Sequence, residues 1–490
     1  MQTARMHLMT YLTRRRLLPL LALVAGHASM AMAQSPATFT ATGNMTTERM
    51  YHTATLLANG KVLIAGGFAE IDGSYVVWAS AELYDPSTGS FTATGDMTTF
   101  RFNHTATLLP DGKVLIAGGD LTIIPGYPTP ILASAELYDP STGTFSATDD
   151  MTTARAAHTA TLLNNGKVLI ASGSPLTRAE LYDPSTSAFT ATGEMSTSQV
   201  SAKATLLSNG KVLIEGGYSS ENPGAELYDP AAGTFSRTGG PANPYLFASS
   251  ASLLTDGEVL ATLEYSCDPD DQADVYDPST ASFAATGNMT ANRGYSTATL
   301  LPDGKLFIAG RDFVHFGGSA DLYDLVTGTF NRAGDTQREE GHTATLLPDG
   351  TVLLSGGWIC CGYSIATAEI YHPAVLVPAP MLFAISGDGK GQGAIWHATS
   401  GRVASPDAPA VGGEILCMYT SGLVDGGAIP PQVAIGGRSA EILFFGDAPG
   451  YPGYSQVNFR VPSGVATGSA VPVRLTYIGR PSNAVTIGVQ

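Results

Sequence analysis

The apolar positions of the chain fall into two short patterns that alternate along most of its length. The first is YHTATLLANGKVLIAGG at 51 to 67: a few alternating residues, a polar turn, then an apolar run closed by two glycines. It returns as HTATLLPDGKVLIAGG from His104, HTATLLNNGKVLIASG from His158 and KATLLSNGKVLIEGG from Lys203, and more loosely from Ala251, Ser296 and His342. The second is AELYDP at 81, 135, 179 and 225, continued as ADVYDP at 273, ADLYDL at 320 and AEIYHP at 368. An aromatic follows each of the first six, at Phe91, Phe145, Phe189, Phe235, Phe283 and Phe330. Self-similarity at a period of roughly 44 to 54 residues signals a propeller or a solenoid.

Each unit predicts four strands. TATLL is the first, Asn59-Gly60, Asp111-Gly112 and their counterparts are expected as two-residue hairpin turns, and KVLIAGG is a buried second strand. AELY is the third, Asp85-Pro86-Ser87-Thr88-Gly89 reverses the chain, and FTATG is the fourth. The seventh unit lacks its fourth strand, because His372-Pro373 runs on into VLVPAP; Phe39-Thr40-Ala41-Thr42-Gly43, at the other end of the repeat region, supplies a match. A ring closed by that strand hides its edges, which an open solenoid would not. The expectation is an all-β chain, a seven-bladed β-propeller over 34–377. Beyond Pro378 and Pro380 the repeat stops, and short alternating runs separated by Gly and Pro predict a β-sandwich over 378–490.

The R-x-x-H start, the diglycine, the Tyr-Asp and the later aromatic resemble the kelch repeat, with Phe for the usual Trp, over about 39 to 375. That resemblance implies close blade packing at Gly66-Gly67, Gly118-Gly119, Gly216-Gly217 and Gly356-Gly357. Kelch propellers include the galactose-oxidase-like copper radical enzymes, which carry a Tyr-His pair at the start of the last blade. Here that start reads Glu340-Gly341-His342, Tyr51-His52 falls in another blade, no cysteine precedes Cys267, and His397 is the one C-terminal histidine candidate. The copper set is therefore not expected. Residues 414 to 490, through GEILCMYTSGL, VAIGG, GDAPGYPGYSQVNFRVPSGV and SNAVTIGVQ, resemble the Solibacter-type C-terminal domain, which implies an immunoglobulin-like sandwich on an exported protein.

Composition adds location. Arg14-Arg15-Arg16, the apolar run from Leu17 to Ala25 and Ala31-Met32-Ala33 have the order of a cleaved export signal over 1–33, by the general or the twin-arginine route. Its apolar core is too short to span a membrane, so the expected product is secreted, periplasmic or held at the cell surface, and monomeric. The net charge of −17 disfavours nucleic acid as a partner. Of the four cysteines, adjacent Cys360 and Cys361 are disulfide candidates.

Candidate chemistry gathers in two places. His52, His104, His158 and His342 hold equivalent positions in four consecutive blades; facing one channel they would make a metal site, whereas repeat histidines ordinarily bond within their own blade. Arg49, Arg101, Arg155 and Arg293, three residues earlier, are expected to pair with Glu82, Glu136, Glu180 and similar acids. The connections after the diglycines vary, share one face and carry aromatics: Tyr75, Trp78, Tyr127, Tyr218, Phe313, Trp358 and Tyr363 are candidates for stacking on a sugar or peptide. Asp268, Asp270 and Asp271 lack the spacing of a calcium loop. The resulting expectation is an exported, non-enzymatic binding or scaffold protein without cofactor, recognising an extracellular glycan or protein; the alternative is a carbohydrate-active oxidase or lyase with its site on the variable face.

Overall fold

The alternation in TATLL and the apolar run VLIA form neighbouring antiparallel strands in repeat after repeat, and the Tyr of AELYD lies across from the Phe of the fourth strand. In blade 1 the strands are Thr53–Leu56, Val62–Ala65, Ala81–Asp85 and Ser90–Ala93. Seven such four-stranded sheets are present, each a simple meander except the seventh. There Thr343–Leu346, Val352–Ser355 and Ala368–His372 are completed by Thr38–Ala41, with Phe39 opposite Tyr371. The computed structural model describes residues 37–121, 130–173, 177–217, 224–241, 247–264, 271–313, 317–359, 363–377, 379–423, 429–449, 451 and 453–490, and the chain divides into units Ala37–Leu376 and Val377–Gln490.

The first strands of the seven blades touch one another in a closed circle, so their N-terminal ends surround one mouth of the axial channel. Between blades, apolar residues of adjoining sheets interlock, as where Leu57, Leu63 and Ala65 meet Val114, Ile116 and Tyr138. Each large side chain sealed there contributes about 1.5–3 kcal/mol. The seams also hold polar clasps. Arg49 meets Glu82 at 2.9 Å, Arg101 meets Glu136 at 2.7 Å, Arg155 meets Glu180 at 3.1 Å and Arg293 meets Asp321 at 2.8 Å, with every guanidinium buried. Arg338 and Glu369 repeat the arrangement in blade seven. The diglycine is required by proximity: at Gly66, with φ +64°, a Cβ would lie 2.5 Å from the Arg101 carbonyl oxygen and 2.8 Å from the His104 ring.

Two local expectations are corrected. The Asn-Gly turn closes as a three-residue loop: Leu57 N–H bonds the Lys61 carbonyl, Gly60 N–H returns to Leu57, and Gly60 takes φ +85°. The histidines bond across seams and not within their own blades. His104 Nε2 lies 3.0 Å from Thr53 Oγ1, His158 Nε2 3.0 Å from Thr105 Oγ1, His342 Nε2 3.1 Å from Thr297 Oγ1 and His52 Nε2 3.1 Å from Thr343 Oγ1. The imidazole is long enough to reach the preceding blade's inner strand, which stands alongside.

The C-terminal unit, too, is built from strands and turns with no helix among its described residues. Nine strands form a folded sheet in which Arg438–Asp447 pairs through Arg438 to Ala440 with Gln432–Ile435 and, from Glu441 on, across a bulge at Ile442/Phe444, with Ser455–Arg460. That switch wraps the sheet into a β-sandwich around Leu416, Met418, Val433, Val457, Phe459, Val473 and Ile487.

Candidate active site

A ladder of main-chain bonds lines the axial mouth. Tyr51 N–H donates to the Gly341 carbonyl, Asn103 N–H to Tyr51, Ala157 N–H to Asn103 and Ser201 N–H to Ala157. These residues take positive φ, +52° at Tyr51, so the chain can bend sharply into each first strand. The ladder changes at blade six. There the Tyr295 N–H, on a residue also at φ +52°, donates at 2.7 Å to the Glu264 carboxylate of blade five.

Around that change stands a polar cluster drawn from blades one, five, six and seven. The Tyr51 hydroxyl donates to Glu340 at 3.1 Å, although 289 residues separate them. Burial, then the Glu340 charge, raises the Tyr51 phenol, while burial raises the Glu340 carboxyl against the opposing pull of the Tyr51 hydrogen bond and of Arg311. Arg311 Nε lies 3.3 Å from Glu339, and its guanidinium sits 4.8 Å from the Phe313 ring centre. Tyr295 is exposed, and its phenol is raised by partial burial and by Glu340 and Glu264. Gly294 permits the closure, since a Cβ there would lie 2.7 Å from the Phe313 ring and 3.1 Å from Glu264.

Two hairpins beyond the diglycines hold the Tyr51–Glu340 pair in place. Phe68–Ile71 with Ser74–Val77 in blade one brings Phe68 parallel to Tyr51, with ring centres 5.7 Å apart, while Met50 and Phe68 exchange main-chain bonds. Trp358–Ile359 with Tyr363–Ser364 in blade seven binds Glu339 N–H and the Glu340 carbonyl through Trp358. The hairpins join where Glu70 N–H donates to Ser364 Oγ at 3.3 Å.

Of the sequence candidates, Trp358 is half-buried against the Met50, Phe68 and Phe102 cluster, and Trp78 donates its indole N–H to the Glu48 carbonyl. Tyr75 and Tyr363 are 43% and 64% exposed and stand on the two joined hairpins. Phe313 lies against Arg311. Tyr127, Tyr218, Cys360 and Cys361 lie outside the described residues. Cys417 is buried, its thiol pushed up to about 12 by burial. Motif reading missed Glu264, Tyr295, Arg311, Glu339 and Glu340. One signal was available: three residues separate Arg338 from His342, where two separate Arg49 from His52.

The four aligned histidines do not converge on a common centre. Each spends Nε2 on a neighbouring threonine and keeps Nδ1 buried without a partner, and burial holds His158 and His342 down to about 3. His397, in the C-terminal unit, is held by Glu414 at 2.6 Å and the Ala408 carbonyl at 2.8 Å. Among the described residues no group of three or more His, Cys, Asp and Glu is arranged to hold a metal ion.

Neither a protein-family model nor a curated protein matches the chain. Among solved structures, the chain is similar to a fungal alcohol oxidase of the AA5 family in complex with copper, at 16% identity and a TM-score of 0.57, over 94% of this chain and 100% of that one. Among the described residues the donors do not fit copper: no three His, Cys, Asp or Glu side chains converge, and the Tyr51 phenol is bonded to a carboxylate. The likeness nevertheless corrects the expectation of a non-enzymatic protein, because an enzyme is built on this fold from end to end, and the fold gives no ground for excluding catalysis.

Proposed function

We propose that the protein is a carbohydrate-active enzyme of the lyase type, working by proton transfer at the axial mouth. The observation that carries this reading is the Tyr51–Glu340 hydrogen bond, two proton donors with raised affinity for their protons at the rim of a channel. Arg311, partly exposed beside them, offers a planar cation to a sugar carboxylate. Tyr75 and Tyr363 supply aromatic faces on which neighbouring sugar rings would stack. The leader-like segment at 1–33 and the acidic charge support action outside the cell, and the motifs quoted above support kelch-type and immunoglobulin-like assignments for the two units.

The test is elimination on a panel of uronate-containing and neutral polysaccharides, followed by the ultraviolet absorbance of the unsaturated product. Product from uronate polymers, lost in Glu340→Gln and reduced in Tyr51→Phe, is expected. Absence of unsaturated product from every uronate polymer, or undiminished turnover in Glu340→Gln, would sink the proposal.

A further inference from the structure

The seam between blades four and five departs from the histidine-bearing seams at three positions. At four other seams a histidine meets a threonine of the preceding blade's first strand, and at one of them Ser355, at the end of the second strand, also approaches the ring at 3.3 Å. Between blades four and five the histidine position is Ser249, the threonine position is Lys203 and the second-strand position is Glu215. Lys203 and Glu215 are cross-strand partners at the channel end of Lys203–Leu206 and Val212–Glu215. Two ionisable side chains thus flank the space that an imidazole fills elsewhere.

Neither is neutralised by the other. No ion pair joins them among the described residues, Glu215 is only 3% exposed, and its Oε1 has no hydrogen-bond partner. Lys203 is half-buried at the first position of its strand, two residues beyond Ser201 in the ladder around the mouth. Among the described residues the titratable groups beside it are Glu215, its cross-strand partner, and Glu264 of blade five, while the Asp274 charge acts on Glu215. The other lysines of the propeller differ. Lys61, Lys113, Lys167, Lys211 and Lys305 each meet the aspartate of a Tyr-Asp turn at the surface.

We propose that Lys203 is the proton-accepting group of the axial site, an inference that rests on the acid–base reading above. Burial lowers the proton affinity of its amine against the pull of Glu264, and Glu215, held up to about 8, does not fix it as an ammonium ion. In the step, neutral Nζ takes the proton from the carbon bearing the substrate carboxylate. The C–H electron pair becomes the new C=C bond, the neighbouring C–O bond breaks, and the leaving oxygen takes the proton of the Glu340 carboxyl. Lys203 ends as ammonium and Glu340 as carboxylate, and exchange with solvent restores both.

The test is competitive acetylation of the intact protein with acetic anhydride across a pH series, each lysine read by peptide mass spectrometry. Lys203 is expected to titrate at least about one pH unit below the surface lysines, as a desolvated amine does. Lys203→Thr, which installs the residue of the equivalent position in blade one, should fold and lower kcat by about 100-fold or more with KM little changed. A Lys203 midpoint level with the surface lysines, or unchanged kcat in Lys203→Thr, overturns the assignment while leaving elimination by the wild type intact. Absence of elimination by the wild type overturns the underlying reading even where the labelling is as expected.

Discussion

Glu215 makes a prediction about stability whose sign is fixed by the structure. Its carboxyl is pushed from the ordinary 4.5 to about 8, first by burial and then by Asp274. Below pH 4.5 both folded and unfolded chains hold the proton, and the group imposes no pH-dependent penalty. Between pH 4.5 and 8 the unfolded chain releases the proton while the folded one keeps it, so stability falls as pH rises; above 8 the loss is complete. At about 1.4 kcal/mol per pH unit, the gap is worth about 5 kcal/mol. Glu215→Gln keeps shape and polarity without titrating. Urea unfolding at intervals from pH 4 to 9 should give similar stabilities for wild type and variant at the acid end, and a variant more stable by several kcal/mol at pH 9. The difference between the two curves cancels the contributions of distant groups. Parallel curves would refute the reasoning, and with it the picture of an unneutralised carboxyl in this seam.

Other perturbations follow from the same structure. Arg101→Met strands the Glu136 carboxylate inside a seam and should cost about 3–5 kcal/mol in thermal or urea unfolding; adding Glu136→Gln should recover most of it, and no recovery would show that the charge is not the cause. Phe39→Ala removes a ring 5.1 Å from Tyr371 and 6.2 Å from Phe307. Because Phe39 is only half-buried, a cost of about 2–3 kcal/mol is expected, with blade-seven amides the first to gain hydrogen exchange; uniform loss of protection across the blades would contradict closure by this strand. Copper(II) titrated into purified protein should show no tight one-to-one site in the visible spectrum, and chelators should leave turnover unchanged. A stoichiometric copper signal would overturn the donor argument.

The ring was legible because every blade solves the same packing problem. The leucines, the diglycine and the Tyr–Phe pair recur wherever two sheets must meet, and Phe39 was recognisable as the strand that blade seven lacks. Finer geometry was hidden by that uniformity. Asn59-Gly60 reads alike in two- and three-residue loops, and only the pairing of Leu57 with Lys61 separates them. A histidine next to a threonine in sequence, as at His52-Thr53, suggests a local partnership, yet Thr53 serves His104 of the following blade.

The site was hardest to read because it is written in the repeat's failures. Glu264 stands where blade one has Gly67, Lys203 where it has Thr53, Glu215 where it has Ala65, and Glu340 lies in a stretch one residue longer than its counterparts. Other departures are as conspicuous and lie elsewhere, such as Gln199 in place of the clasp arginine, buried in its seam. What separates the two kinds is position around the axis. Closure of the ring by Thr38–Ala41 sets blade seven beside blade one, bringing Tyr51 within hydrogen-bond reach of Glu340, while the bond from Tyr295 to Glu264 ties blade six to blade five. Two of these departures, Glu264 and Glu340, thus come together at a single mouth although 76 positions apart in the sequence. A residue that breaks the repeat at the N-terminal end of a first strand, or directly after a second one, stands at the axial mouth; the same break deep in a seam only changes how two blades are held together.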